Sequence, residues 1–275
     1  MSARPSLAGH GSERLAVRRR QKRKRTFVAI GVVLIILIVS VFVGVRQSAV
    51  RINHIDVYGG DASIAAIASS TMQGYYLGLI PRDSIFFFPE SQIRLAVIKV
   101  HPGVAAISFF RNGFKGLSIK INERVAIGTW CGLQPTEGVD PYCYVFDSSG
   151  FVFAAAASST ETINHFLLYD PLEGNTEEPL GATLAHTDAL PHTFDFARQL
   201  GTFGSPVAYI VIKDDEVSQY MKSGTRVTYV IGNEENAYTA LVSSKENLNL
   251  ADGSVEYVDL RFDGKVYLKK MEVPQ

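Results

Sequence analysis

The sequence predicts an α+β protein carried on one N-terminal apolar helix. Three observations support this: an uncharged apolar run at 26–45, a β-α-α-β-β succession of patterns over 50–123, and many short strand patterns with two helical ones from 124 to 270. The expected organisation is a basic tail (1–25), an apolar helix (26–45), a small two-layer domain (50–123), a larger and mainly antiparallel β domain with two helices (124–270), and a short C-terminal tail (271–275). With 275 residues and 47% hydrophobic content, the chain can bury two cores.

A net charge of zero conceals a division. Residues 1–25 hold nine Lys or Arg against one acid, Glu13, whereas the rest of the chain holds 18 basic and 26 acidic side chains. A basic tail on an acidic body suits a chain whose ends face two compartments. The segment between them, TFVAIGVVLIILIVSVFVGV, has twenty residues and no charge. At about 1.5 Å per residue, such a helix crosses a hydrocarbon core of about 30 Å. Basic residues 22–25 precede it and Arg46 follows, so the positive-inside rule puts the N-terminus in the cytoplasm and the rest outside. The run exceeds the roughly 7–15 apolar residues of a signal peptide and lacks a clear small-x-small cleavage site, so an anchor is expected rather than a cleaved leader. Basic residues hard against a span serve topology and lipid contact, and no nucleic-acid partner is expected.

The 50–123 region begins with a strand pattern, Ile52, Ile55 and Val57, closed by Gly59–Gly60. Asp61 is a candidate N-cap for a helix with Ile64, Ile67, Ala68 and Met72 on one face, and Gly74 is its stop. A turn-rich link with Pro81 leads to a second helix, with Pro89 at its start and Ile93, Val97 and Val100 as its apolar face. Two strands follow around an Asn112–Gly113 turn, the second alternating Leu117, Ile119 and Ile121.

Beyond Arg124, short strands are broken by Gly, Asn, Asp and Ser, and helical patterns lie near 188–204 and 233–250. In the second of these, Ala237, Leu241, Ser244 and Leu248 share a face. The stretch 170–192 reads as a long surface excursion, and Asp214, Asp215 and Glu216 as a solvated turn. The closing SVEYVDLRFDGKVYLKK, 254–270, alternates as one strand in which Asp259 has a structural role.

Cys131 and Cys143 both fall on the expected outer side. Their spacing excludes a CxxC motif, and no second pair or spaced histidines suggest zinc, so neither metal nor cofactor is expected. A disulfide at the base of a hairpin is favoured over two free thiols, with a catalytic thiol least favoured. Phosphate-cradling, dinucleotide, metalloprotease and nucleophile-elbow motifs are all absent. Asp147 in YVFDSSGFVF reads as the start of a turn in which Gly150 takes the positive φ.

Three stretches together resemble the FtsQ/DivIB family of bacterial cell-division proteins. INERVAIGTW resembles the family's domain junction through Glu123, Arg124 and Trp130, with Val125 where the family often has Pro. YVFDSSGFVF resembles its Asp-x-x-Gly hairpin through Asp147, Gly150 and Phe153. YVDLRFDGKVYLK resembles its closing motif through Asp259, Leu260, Arg261 and Phe262. In layout the likeness covers 20–270, with the small domain resembling a POTRA domain. The cysteine pair and the 170–192 stretch are not general family features.

The resemblance implies a non-enzymatic scaffold at the division septum. It would link divisome components by binding FtsB/DivIC-like and FtsL-like single-span proteins, and the POTRA domain would bind other division proteins. By position, the docking residues would be Arg261, Phe262, Lys265, Val266, Tyr267 and Leu268. Strand-edge physics agrees, because an edge exposes unpaired N–H and C=O groups that another chain can extend. The alternative is a membrane-anchored cell-wall hydrolase or transpeptidase, which needs a Ser, Cys or carboxylate constellation. A POTRA-bearing export module would carry repeats and a barrel.

Overall fold

A computed structural model describes residues 10–136, 138, 141–157, 161–175, 178–262 and 264–271. Residues 1–9 of the basic tail, 137, 139 and 140 between the cysteines, 158–160, 176–177 of the excursion, Asp263 and the tail residues 272–275 lie outside them. The architecture is mixed α+β, with five α-helices and a large, mainly antiparallel sheet among the described residues.

Helix α1 (His10–Arg46) is longer than the apolar run, because the Lys- and Arg-rich stretch before it is itself a good helix former. Its Arg20–Arg46 part is long and apolar enough to cross a membrane, and none of it is buried in the protein.

The chain divides into two compact units: Met1–Val97 with Ile107–Ile121, and Ile98–Ala106 with Asn122–Gln275. After α1 come β1 (His54–Tyr58), α2 (Ser63–Thr71), β2 (Tyr75–Tyr76), β3 (Ile80–Pro81), α3 (Glu90–Val100), β4 (Val104–Asn112) and β5 (Gly116–Glu123). Three of the strands form a sheet in the order β1-β5-β4, with β1 parallel to β5 and Val57 opposite Ile119. The expected faces meet: Ile64, Ala68, Met72, Ile93, Val97, Leu117, Ile119 and Ile121 are all buried. Asp61 acts at the start of α2 by accepting the Ser63 N–H at 2.6 Å. Two details differ from expectation. Val100, in the last turn of α3, is exposed although Ile93 and Val97 are not, so the helix keeps its core contact for fewer turns than its pattern suggests. The link around Pro81 contains a small hairpin, β2 against β3.

The second unit holds β6 (Gly128–Trp130), β7 (Tyr144–Phe146), β8 (Val152–Ala155), β9 (Leu167–Tyr169), α4 (Leu190–Gly201), β10 (Val207–Lys213), β11 (Glu216–Met221), β12 (Arg226–Val230), α5 (Glu234–Ser243), β13 (Val255–Asp259) and β14 (Tyr267–Lys270). Its nine strands run in the order β14-β13-β12-β11-β10-β9-β6-β7-β8. Among the described residues three of its pairs are parallel: β9–β10 and β12–β13 have a helix between their strands, whereas β6 and β9 are separated in the chain by the β7–β8 hairpin. Phe194, Phe196, Ala197 and Leu200 of α4 and Ala237 and Leu241 of α5 enter one core with Ile210, Val217, Tyr229 and Val258. Leu248 is buried too, but α5 stops at Ser243, so it reaches the core from beyond the helix.

The 170–192 stretch is not a surface excursion. Leu172, Leu184 and Leu190 lie in the core, and Asp170 is fully buried. Backbone bonds from Ala185 N–H to Pro171 O (2.8 Å) and from Glu173 N–H to Thr183 O (2.8 Å) close it on itself, so polar and turn-forming residues coexist with buried leucines.

Candidate functional site

The closing segment is a hairpin rather than one strand. β13 ends at Asp259, β14 begins at Tyr267, and Val258 faces Leu268 across the ladder. Arg261, Phe262, Lys265 and Val266 therefore sit in the connection, and the edge strand comprises Tyr267–Lys270 rather than 265–268. The Asp-Gly at 263–264 was the available signal, being a common turn dipeptide flanked by apolar residues.

β14 is one end of the nine-stranded sheet, and all four of its side chains are exposed. The Met271 N–H is bound to Ser254 O at 2.8 Å, and the register shift of this pair places its extra residue, Glu256, on β13, so alternation along β14 itself turns the N–H and C=O groups of Lys270 and Leu268 away from β13. Lys269 is held by Glu256 (2.7 Å), which fixes one of the charges guarding this edge. Phe262 is 53% exposed, and its ring stands edge-on to Tyr267 at 5.4 Å. Val266 packs against the core and also lines an open cavity of about 490 Å³ with Asn236, Thr239, Ala240, Ser243 and Gly264.

Arg261 is not a free cation. Its Nε and Nη2 donate to the two oxygens of Asp259 at 2.9 and 2.6 Å, and its Nη1 donates to Glu216 at 2.7 Å. The Asp259 carboxylate also accepts the Arg261 backbone N–H at 3.1 Å. The guanidinium holds Asp259 below its ordinary value, and the two carboxylates push Arg261 further up. Asp259 has the structural role expected of it, whereas Glu216 is more than the solvated turn residue expected from sequence. Asp259 locks the turn, and Glu216, beside the Asp214–Asp215 turn that joins β10 to β11, reaches a residue 45 positions away.

The other singled-out residues lie in the second unit. Arg124 bonds through its N–H to Gly103 O (2.8 Å) and through Nε to Pro102 O (3.2 Å). It covers the Phe151 ring at 4.0 Å and pairs with Asp147. Asp147 also takes the Ser149 N–H (2.8 Å), the Ser149 hydroxyl (2.6 Å) and the Phe151 N–H (3.2 Å). Burial alone would raise its pKa, but these donors together hold it below the ordinary value. Trp130 is buried and donates Nε1–H to Asp170 O at 2.8 Å, while Glu123 ends β5 in solvent. Cys131 and Cys143 form a disulfide beside Trp130 and Tyr144, joining the ends of β6 and β7.

Asp170 and His186 make a buried Asp–His contact. His186 Nδ1 lies 2.5 Å from Asp170 Oδ1 and shares a cavity with Ser149, but the Ser149 hydroxyl is given to Asp147. Serine and histidine are thus engaged with different carboxylates, an arrangement that holds loops in place. Among the described residues no group of three or more His, Cys, Asp or Glu converges as a metal site would. No protein-family model matches this sequence, and no curated protein matches it.

Proposed function

We propose that this chain is a divisome scaffold of the FtsQ/DivIB type, with α1 as a single-pass anchor, its N-terminus cytoplasmic and its folded units outside. It works by binding rather than catalysis. FtsB/DivIC-like and FtsL-like single-span proteins are its partners, the division septum of the cell membrane is its place of action, and 50–123 serves as a POTRA-type domain for other divisome components. The reading rests on the three sequence stretches above, and one structural observation supports it most. β14 ends a nine-stranded sheet with four exposed side chains and outward-turned backbone groups, beside a half-exposed aromatic. Strand addition there would gain main-chain hydrogen bonds, with Phe262 and the Val266 cavity selecting side chains.

The geometry changes the role of one expected contact. With Asp259 and Glu216 already on it, Arg261 orients the Phe262 turn and offers little spare charge to an acidic partner. The informative variant is Leu268→Pro, which removes an outward N–H while sparing the β13 ladder. Full-length protein in lipid nanodiscs should lose about tenfold or more in affinity for the FtsB/DivIC-like partner, equivalent to about 1.4 kcal/mol. Unchanged affinity in a variant that melts normally would sink strand addition at β14. A fluorescent fusion should concentrate at midcell in dividing cells, and diffuse membrane signal would count against the septal assignment.

A further inference from the structure

The β2–β3 hairpin turns through Leu77, Gly78 and Leu79, with Tyr76 opposite Ile80. Leu77 adopts φ 49° and Gly78 φ 70°, a backbone that hairpins usually fill with Asn, Asp or Gly. A leucine here accepts an unfavourable conformation and gains no packing within the protein, since it is 96% exposed. Leu79 and Tyr75 beside it are each about half exposed.

The position of this tip is fixed by Arg46, the last residue of α1 and the first charge after the apolar run. Its Nε donates to Leu79 O at 3.0 Å and its Nη2 to Gly78 O at 3.4 Å, while the guanidinium lies over Phe42 at 4.7 Å. β3 contacts α1 directly. If α1 spans a bilayer, Arg46 marks the headgroup level and the tip's carbonyls lie at that same level. The apolar surface of Leu77 and Leu79 is then continuous with that of the helix, at the depth where Tyr side chains also settle.

We propose that Leu77-Gly78-Leu79 is a membrane-seating loop, inserted in the interface of the leaflet from which α1 emerges. Its occupant is lipid. The loop gives the first folded unit a second attachment beside the helix and limits its rotation about the helix end. This rests on α1 being a membrane span, and the test separates the two claims.

Full-length protein carrying an environment-sensitive fluorophore on Leu77→Cys is reconstituted in phosphatidylcholine–phosphatidylglycerol vesicles containing shallow nitroxide lipids. The Val39→Cys and Leu95→Cys labels serve as span and solvent references. Leu77 should show blue-shifted emission and be quenched, Val39 should report the hydrocarbon, and Leu95 should stay unquenched. A quenched Val39 with an unquenched Leu77 overturns the loop alone, whereas an unquenched Val39 overturns both claims. Because a label can drag a loop into lipid, amide exchange is also followed on unlabelled protein. Residues 75–81 should exchange more slowly in vesicles than in the Leu77→Asn/Leu79→Asn variant, and equal exchange refutes the proposal. Slow exchange that persists in detergent and tracks protein concentration would assign the tip to a second copy of the chain, and refutes it too.

Discussion

Two arginine–aspartate clamps, built from similar parts, are put to different use. Arg124 and Asp147 retain side-chain exposures of only 16% and 12%, and their polar neighbours are the 147–151 turn and the carbonyls of Pro102 and Gly103. Arg261, in the turn that precedes the edge strand, and Glu216, at the start of β11, are each 41% exposed, and of this clamp only Asp259 is largely covered, at 13%. A pair removed from water strongly penalises loss of either partner, because the survivor remains charged and buried. An exposed pair is screened and stabilises little, so its value lies in shaping a surface. The buried clamp therefore belongs to the fold of the second unit and the exposed one to what that unit presents.

That contrast can be broken at its strong end first. Arg124→Ala strands Asp147 among donors arranged for an anion and opens the face of Phe151, and urea denaturation should show a loss of about 3 kcal/mol. Gly150→Ala should be next, near 2 kcal/mol, because φ is 72° and a Cβ would come within 2.4 Å of Thr187 Oγ1. Equal melting of this variant and the wild type would show that the turn can relax.

Acid gives a graded test of the same pair. Asp147 is held below its ordinary value of 3.8, so its contribution is complete above that pH and is lost as pH falls through the lower folded value. Asp170 works in the opposite sense. Burial raises its pKa, the His186 contacts offset this only in part, and its contribution fades as pH rises through the raised value. Asp147→Asn should therefore flatten the fall in stability below about pH 4, a smaller change than Arg124→Ala. An unaltered acid limb would mean that other carboxylates govern it.

Arg261→Ala should have the smallest effect on stability, under about 1 kcal/mol. It should nonetheless weaken partner capture by freeing the Phe262 turn. A large stability loss would show that the two clamps do the same work.

Much of the fold was legible because it is written in local periods. Leu117, Ile119 and Ile121 alternate, Ile93 and Val97 are one helical turn apart, and all five are buried. The Asp-Ser-Ser-Gly turn could be read from its residue types alone, since a carboxylate that collects N–H groups and a glycine with positive φ specify it within four positions. The length of the 26–45 run likewise needed no partner to interpret it.

The partners of those residues were not legible. Arg124 meets Asp147 23 positions away, and Arg261 meets Glu216 45 positions away. Leu172 and Leu184 read as loop residues from sequence, and backbone bonds fold their segment over the core. Strand order was also a tertiary outcome, because it depends on which edges α4 and α5 carry the chain back to. The sequence by itself determined where helices, strands and turns occur, since side-chain size, branching and polarity act over a few residues. Only the tertiary structure decided that β14 would be an edge and that Arg261 would already be engaged, because edges and ion pairs depend on distances that no local period encodes.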